Sequence, residues 1–194
     1  MRLHEIERGD RPSSRLLFKL ISAMSGTRFP DAARVAFYHR EFAGPALNAW
    51  TQQVMRGPSE WSVGERELMA ALVAQFNSCP FCVGAHGAVA VHGLGPDVVD
   101  AALSDYESAP ISDVLRAALT FIEKMTRAPD ELGPGDARAA IDAGVSRSQL
   151  LDSAAVAAVF NIVTRYANAL DFEIPSPRDF AKSAKTLLKR GYAS

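Results

Sequence analysis

The sequence predicts an all-α protein, and three observations predict it. Apolar residues recur at three- and four-residue spacing through almost every segment, and Ser, Asp, Gly and Pro punctuate those segments at helix-capping positions. No stretch alternates apolar with polar residues in the β-branched and aromatic manner of a strand. In chain order, helices are expected over about residues 13–24, 31–56 with a break near Gly44-Pro45, 63–76, 80–92, 96–105, 112–127, 135–143, 147–170 and 177–190, joined by short loops.

The helix over 63–76 has a well-specified start. Ser62 can cap its free amides while Glu65, three residues on, reaches back to complete a capping box. In "RELMAALVAQF", Leu68, Leu72 and Phe76 form the core stripe, and Glu67 sits on another face beside Ala70, Ala71 and Ala74. Asn77 and Ser78 break that helix, and Pro80 suits the first turn of the next, where its missing amide would be unpaired in any case. A weaker pattern is the echo of "HGLGPDVVDAA" in "AGVSRSQLLDSA". It reads as an internal helical repeat or as two ordinary amphipathic helices, each with a Gly before its cap.

With 194 residues, 48% of them hydrophobic, the chain has the material for one domain with a sizeable core and is not of disordered composition. Lys and Arg number 21 against 22 Asp and Glu, so no basic excess points to nucleic acid. The opening "MRLHEIERGDRPSSR" has no apolar signal core, and the run "SAAVAAVFNIVT" is too short by itself to cross a bilayer, so a cytoplasmic protein without a membrane partner is expected. The apolar positions of "RLLFKLISAM" and "AAVAAVFNIV", together with Trp50 and Trp61, belong in a core or a subunit interface and predict a homo-oligomer.

Chemistry concentrates in "NSCPFCVGAHGAV", residues 77–89, which holds both cysteines of the chain. In a reducing compartment a Cys-x-x-Cys is catalytic or metal-binding. At about 100° per residue Cys79, Cys82, His86 and Ala90 share one helix face, with Cys82 and His86 as direct neighbours. Both sulfurs lie in a first turn, where unpaired amides favour a thiolate, and Cys82, with His86 beside it, is expected to titrate below an ordinary thiol. Such a dithiol attacks a peroxide oxygen or an electrophilic sulfur and closes Cys79 onto Cys82, while His86 returns a proton to the leaving oxygen.

Two blander readings stand beside this one. The cysteines can be buried small hydrophobes. They can also be half of a zinc site completed by Glu67, but structural zinc wants four ligands, the chain has no second cysteine pair, and His92 points off the cysteine face, so no metal is expected. Glu67 can pair with a surface Arg instead of His86. His4 and His39 read as ordinary histidines, and Asn161 with Arg165 as an internally paired polar couple on an apolar helix in preference to a pair that orients the site or binds an anion.

The spacing Glu67, eleven residues, Cys79, two residues, Cys82, three residues, His86 resembles the signature of the AhpD-like alkylhydroperoxidases of the carboxymuconolactone decarboxylase superfamily. The stretch from "FAGPALNAW" to "VHGLGPDVV", and "AVAAVFNIVTRYANALDFEIP" later, are similar to the family's helical context. The resemblance covers residues 31–175 and leaves 1–30 as an extension of unread role. It implies a single AhpD-like domain over 1–194, assembled into oligomers. It also implies reduction of organic or hydrogen peroxide through a dithiol-disulfide cycle, without haem, flavin, metal or other cofactor. A dithiol donor such as a lipoyl-bearing protein would re-reduce the disulfide. Carried over, Cys82 attacks the peroxide, Cys79 resolves, and His86 with Glu67 relays protons.

Where some members carry a His between the cysteines, this chain has Phe81, which cannot transfer protons and can line an apolar pocket. The alternatives are a lactone decarboxylase like the superfamily's other branch, which needs no cysteine pair, and a redox-sensing oligomer without turnover.

Overall fold

The computed structural model describes residues 2–38 and 44–192. Their elements are α-helices and one short 3-10 turn, with no strand among the described residues: α1 (His4–Arg8), α2 (Pro12–Ser25), α3 (Asp31–Phe37), α4 (Gly44–Arg56), α5 (Val63–Phe76), α6 (Pro80–Leu94), α7 (Pro96–Asp105), α8 (Asp113–Arg127), the 3-10 turn (Pro129–Glu131), α9 (Pro134–Asp142), α10 (Arg147–Leu170) and α11 (Pro177–Arg190). The all-α expectation holds, and from α5 onward the expected helix limits agree with the observed ones to within two residues. The expected helix over 31–56 ends early, at Phe37, and resumes at Gly44. Residues 39–43, and with them His39, lie outside the described residues.

The helix starts are specified by side chains that satisfy amides otherwise unpaired at a helix N-terminus. Ser62 and Glu65 form the capping box of α5, and Ser146 and Gln149 form that of α10. Ser112 and Ser176 cap α8 and α11. Both echoed segments place a left-handed glycine just before a new helix, Gly95 at φ 86° and Gly144 at φ 101°. The helices that follow are of 10 and 24 residues, so the echo is a shared turn.

At the centre α5 and α6 form an antiparallel hairpin, and α8 and α10 pack on α5. The core gathers Met55, Leu68, Met69, Leu72 and Val73 with Leu119, Ile122, Val156, Val159 and Phe160. Trp61 belongs to it and donates from Nε1 to the Gln149 carbonyl at 2.8 Å, while Trp50 is exposed. The run "SAAVAAVFNIVT" does not stop where its apolar residues stop. It is part of the 24-residue α10, long and apolar enough to cross a membrane. Here α10 packs as a core helix against α4, α5, α8 and α9, and its Ser153, Asn161 and Thr164 hydrogen-bond within the protein.

Residues 2–30 pack against the segment that follows α10. Asp31, fully buried, accepts from the Glu173 amide at 2.8 Å and pairs with Arg28 at 2.7 Å, and the Arg2 amide donates to the Leu170 carbonyl at 2.7 Å. α11 then returns over α6. The ring of Phe180 lies on Gly84, where a Cβ would come within 2.4 Å of it, so a larger residue at 84 would force the helices apart.

Candidate active site

The turn between α5 and α6 places the cysteines. Ser78 takes the left-handed conformation at φ 52°, and the Cys79 amide donates to the Ala74 carbonyl at 2.8 Å. Two asparagines of α10 hold this turn. Asn168 donates to the Asn77 carbonyl at 2.9 Å, and Asn161 accepts from the Asn77 side chain at 3.0 Å. Arg165 donates to both Asn161 oxygens at 2.7 and 2.8 Å. The expected Asn161–Arg165 couple exists, and through Asn161 it also fixes the cysteine turn.

Cys79 is the N-cap of α6 and Cys82 sits in its first turn. Both are free thiols, each 1% exposed, within an apolar cluster of Ala74, Phe81, Ala167 and Phe172. Phe81 meets Phe172 edge-on at 5.2 Å and Phe180 at 6.1 Å. The residue between the cysteines therefore lines an apolar seam, as its ring chemistry suggests.

The two thiols titrate in opposite directions. The nearby Cys82 thiol draws the Cys79 thiol down to about 7 against the opposing effect of burial, and the amides of Cys82 and Phe81 assist although Cys79 makes no regular capping bond. The shared proton and burial push the Cys82 thiol up. These directions run opposite to the expectation that Cys82 is the activated sulfur. An N-cap atom sees amide donors that an atom one turn into the helix does not. Among the described residues Cys82 and His86 share no hydrogen bond.

The polar partner of His86 is Glu67. Glu67 is fully buried, and its Oε2 accepts from His86 Nδ1 at 2.7 Å. Two residues that the sequence did not single out complete the group. Arg56, from the last turn of α4, places Nη2 2.7 Å from Glu67 Oε1, off the hydrogen-bond direction, so its buried Nε and Nη2 have no hydrogen-bond acceptor. Tyr192, two residues beyond α11, donates to Glu67 Oε1 at 2.8 Å and lies 3.3 Å from His86 Nδ1. Burial raises the Glu67 carboxyl, but the His86 hydrogen bond and the charges of His86 and Arg56 outweigh it and hold the group below the usual carboxylate range. Burial and the Glu67 charge raise the Tyr192 phenol well above its ordinary range, which keeps it a donor.

An ionised Glu67 keeps the imidazole proton on Nδ1 and leaves Nε2 as the nitrogen that can exchange a proton. Among the described residues no three His, Cys, Asp or Glu side chains form a metal-binding group. His92 is exposed near the far end of α6, and His4 is exposed beside Glu7.

An all-helical fold with a dithiol at a helix N-terminus and a buried carboxylate–imidazole pair on the same hairpin defines the class. The model of the carboxymuconolactone decarboxylase family matches residues 43–124. The structure is similar to a peroxidase-related protein from Silicibacter sp. TM1040, with TM-score 0.77 and 26% identity over 93% of each chain. It is also similar to a peroxidase-related protein with an alkylhydroperoxidase AhpD core from Ralstonia eutropha JMP134, with TM-score 0.72 and 26% identity over 88% of each chain. The debrominase Bmp8, solved with 2,3,4-tribromopyrrole, shares the fold at TM-score 0.70 and 16% identity over 91% of this chain and 94% of its own. No curated protein matches. In fold, and in sequence over residues 43–124, the chain resembles the AhpD-like proteins of the carboxymuconolactone decarboxylase superfamily.

Proposed function

We propose that this protein is a thiol peroxidase that reduces small organic hydroperoxides or hydrogen peroxide through a Cys79–Cys82 disulfide. The observation that carries the reading is the Cys79 thiol, drawn to about 7 at the N-cap of α6 with a second thiol beside it. A thiolate at neutral pH is the nucleophile this chemistry needs. The peroxidase-related relatives from Silicibacter and Ralstonia support the same class.

The resting charge favours Cys79 as the attacking sulfur, the reverse of the order that the resemblance carries over. The Cys79 thiolate attacks the distal peroxide oxygen, an S–O bond forms, the O–O bond breaks, and the leaving alkoxide takes a proton from solvent, which received the one lost by Cys79, to become the alcohol. Cys82 then gives its proton to His86 Nε2 and attacks the Cys79 sulfenic acid. Hydroxide leaves, takes that proton as water, and the disulfide remains. Glu67 stabilises the imidazolium in between. A dithiol donor such as a protein-bound lipoyl group would restore both thiols by exchange.

Thiol counting and stopped-flow oxidation of the reduced protein by cumene, t-butyl and hydrogen peroxide test this. Two thiols should be lost per peroxide, Cys82→Ser should leave a sulfenic acid that dimedone traps on Cys79, and Cys79→Ser should lose the fast phase. Peroxide that leaves both thiols intact would sink the reading.

The family model favours one second reading, a decarboxylase-like reaction at Glu67, His86 and Arg56. Lactone turnover surviving replacement of both cysteines would support it. A homo-oligomer belongs to the proposal as well. Leu16, Leu20 and Met24 form an exposed apolar row on α2, and Leu151, Ile162 and Tyr166 are exposed on α10. A monomer in sedimentation equilibrium at micromolar concentration would exclude it.

A further inference from the structure

We propose that Tyr192 is a positioning residue for the Glu67–His86 pair and that α11 exists in part to deliver its phenol into the site. The inference rests on the peroxidase reading for its kinetic consequence and on geometry alone for the positioning.

The backbone that carries Tyr192 is fixed on both sides. Upstream, Phe180 lies on Gly84 of α6, and Ala184 is buried in the same helix. Just before the ring, Gly191 turns the chain at φ 67°, a conformation costly for other residues, and a Cβ there would come within 2.3 Å of the Gln52 side chain. Gln52 Oε1 in turn accepts from the Tyr192 amide at 2.6 Å. The ring then enters between two site residues, with the Arg56 guanidinium 4.9 Å from its centroid on one side and the His86 ring stacked at 6.3 Å and 22°.

A phenylalanine would fill this slot nearly as well, so the hydroxyl needs its own explanation. It stands against the pair, 2.8 Å from Glu67 Oε1 and 3.3 Å from His86 Nδ1. With Oε1 committed to Tyr192 and Arg56, the carboxylate has one way to face His86, through Oε2 to the Nδ1 proton. That choice sets the tautomer and aims Nε2. No resemblance at the sequence level points to this tyrosine, and it follows the expected final helix in "KRGYAS".

The charged and titratable groups that meet the Glu67–His86 pair are Arg56 from α4 and Tyr192, with Arg66 of α5 further along the same cluster. Removing one donor from Glu67 makes it a stronger partner for the protonated ring.

Tyr192→Phe keeps the ring and removes only the hydroxyl. Single-turnover oxidation by a hydroperoxide should slow by about 3- to 30-fold through the rate at saturation, with half-saturation little changed, the size expected for one hydrogen bond to a charged relay group. The acid limb of the rate against pH and the His86 ring 15N signals should both change. Tyr192→Ala should be slower still and should regain rate with added 4-methylphenol, which supplies the missing ring and hydroxyl. Parent rate, parent acid limb and parent 15N signals in Tyr192→Phe would overturn the proposal. Should the parent fail to react with any peroxide, the peroxidase reading falls, and the 15N comparison alone decides for Tyr192: changed signals support the positioning role and unchanged signals overturn it.

Discussion

Gly64 and Gly93 meet so closely that a Cβ on Gly93 would stand 2.9 Å from the Gly64 Cα. The contact joins the first turn of α5 to the last turn of α6. It lets the two backbones approach, and that approach allows Glu67, one turn along α5, to reach His86, about two turns back along α6. Across the same pair of helices the Glu67–His86 hydrogen bond is 2.7 Å long.

Gly93→Ala should therefore destabilise the protein even though alanine is the better helix former. The added methyl meets backbone, which no rotamer change relieves, and such overpacking costs about 1–3 kcal/mol. Gly135→Ala is the contrast, since nothing lies within 4 Å of its Cβ position. It should be neutral or stabilise by up to about 1 kcal/mol through the unfolded chain. Urea unfolding of both variants checks the pair, and a Gly93→Ala as stable as the parent would remove the close approach as an explanation.

The thiols give a pH signature. Iodoacetamide should modify Cys79 before Cys82, with a midpoint near the about 7 set by the Cys82 thiol and the helix amides. Cys82→Ala removes the largest of these influences, and the Cys79 midpoint should move up toward an ordinary thiol, about 8.5. Stability follows by linkage. The depressed Cys79 contributes fully above its unfolded value of about 8.5 and loses that contribution as pH falls through about 7. The raised Cys82 acts oppositely and costs stability as pH rises past about 8.5. Denaturation of the reduced protein should thus be hardest near pH 8, and a stability that falls steadily from pH 6.5 to 8 would contradict the pairing.

How far the sequence carries depends on how local the signal is. The starts of α5, α8, α10 and α11 were legible because one serine and its third neighbour define each cap. α1 was not, since "HEIER" is little more than one turn and has no side-chain cap. In the site, Cys79, Cys82, His86 and Glu67 lie on two successive helices whose spacing can be counted. Arg56 gave no sign, because a cation in the last turn of a helix reads as ordinary complement to the helix dipole. Tyr192 lies 125 residues from Glu67, and nothing in the pattern relates them. The lowered Cys79 thiol depends first on how closely the Cys82 thiol approaches it, a distance that the three-residue spacing does not resolve.

Phe81 stands where the resemblance allows a histidine, and its surroundings explain why a histidine would not simply fit here. The ring is 7% exposed and packed edge-on against Phe172, with Phe180 of α11 beyond. Phe81→His would replace these contacts with a polar ring that has no described acceptor in the cluster, at a cost of about 1–3 kcal/mol. Peroxide oxidation should not accelerate. A faster, equally stable variant by stopped flow and thermal unfolding would mean that the missing histidine limits this protein after all.

Glu67 is fully buried among donors, so both the fold and the proposed proton relay depend on its charge. Every polar atom that reaches it is a donor: His86 Nδ1 at Oε2, and Tyr192 with Arg56 at Oε1. Glu67→Gln offers one acceptor and one amide, so whichever way the amide turns, an N–H faces another donor and the Arg56 charge loses its partner. Breaking a buried pair in this way costs about 3–5 kcal/mol. Oxidation by peroxide should slow by roughly ten- to a thousandfold as the imidazolium loses its counter-charge. Since the folded Glu67 carboxyl lies below its unfolded value of about 4.3, its stabilisation is full above that pH and is lost as pH falls through the folded value. The stability gap between parent and Glu67→Gln should hold from pH 5 to 7 and narrow in acid. Urea unfolding at pH 7 and pH 3 measures both ends, and equal stabilities at pH 7, or a gap that persists unchanged in acid, would refute the buried ionised carboxylate.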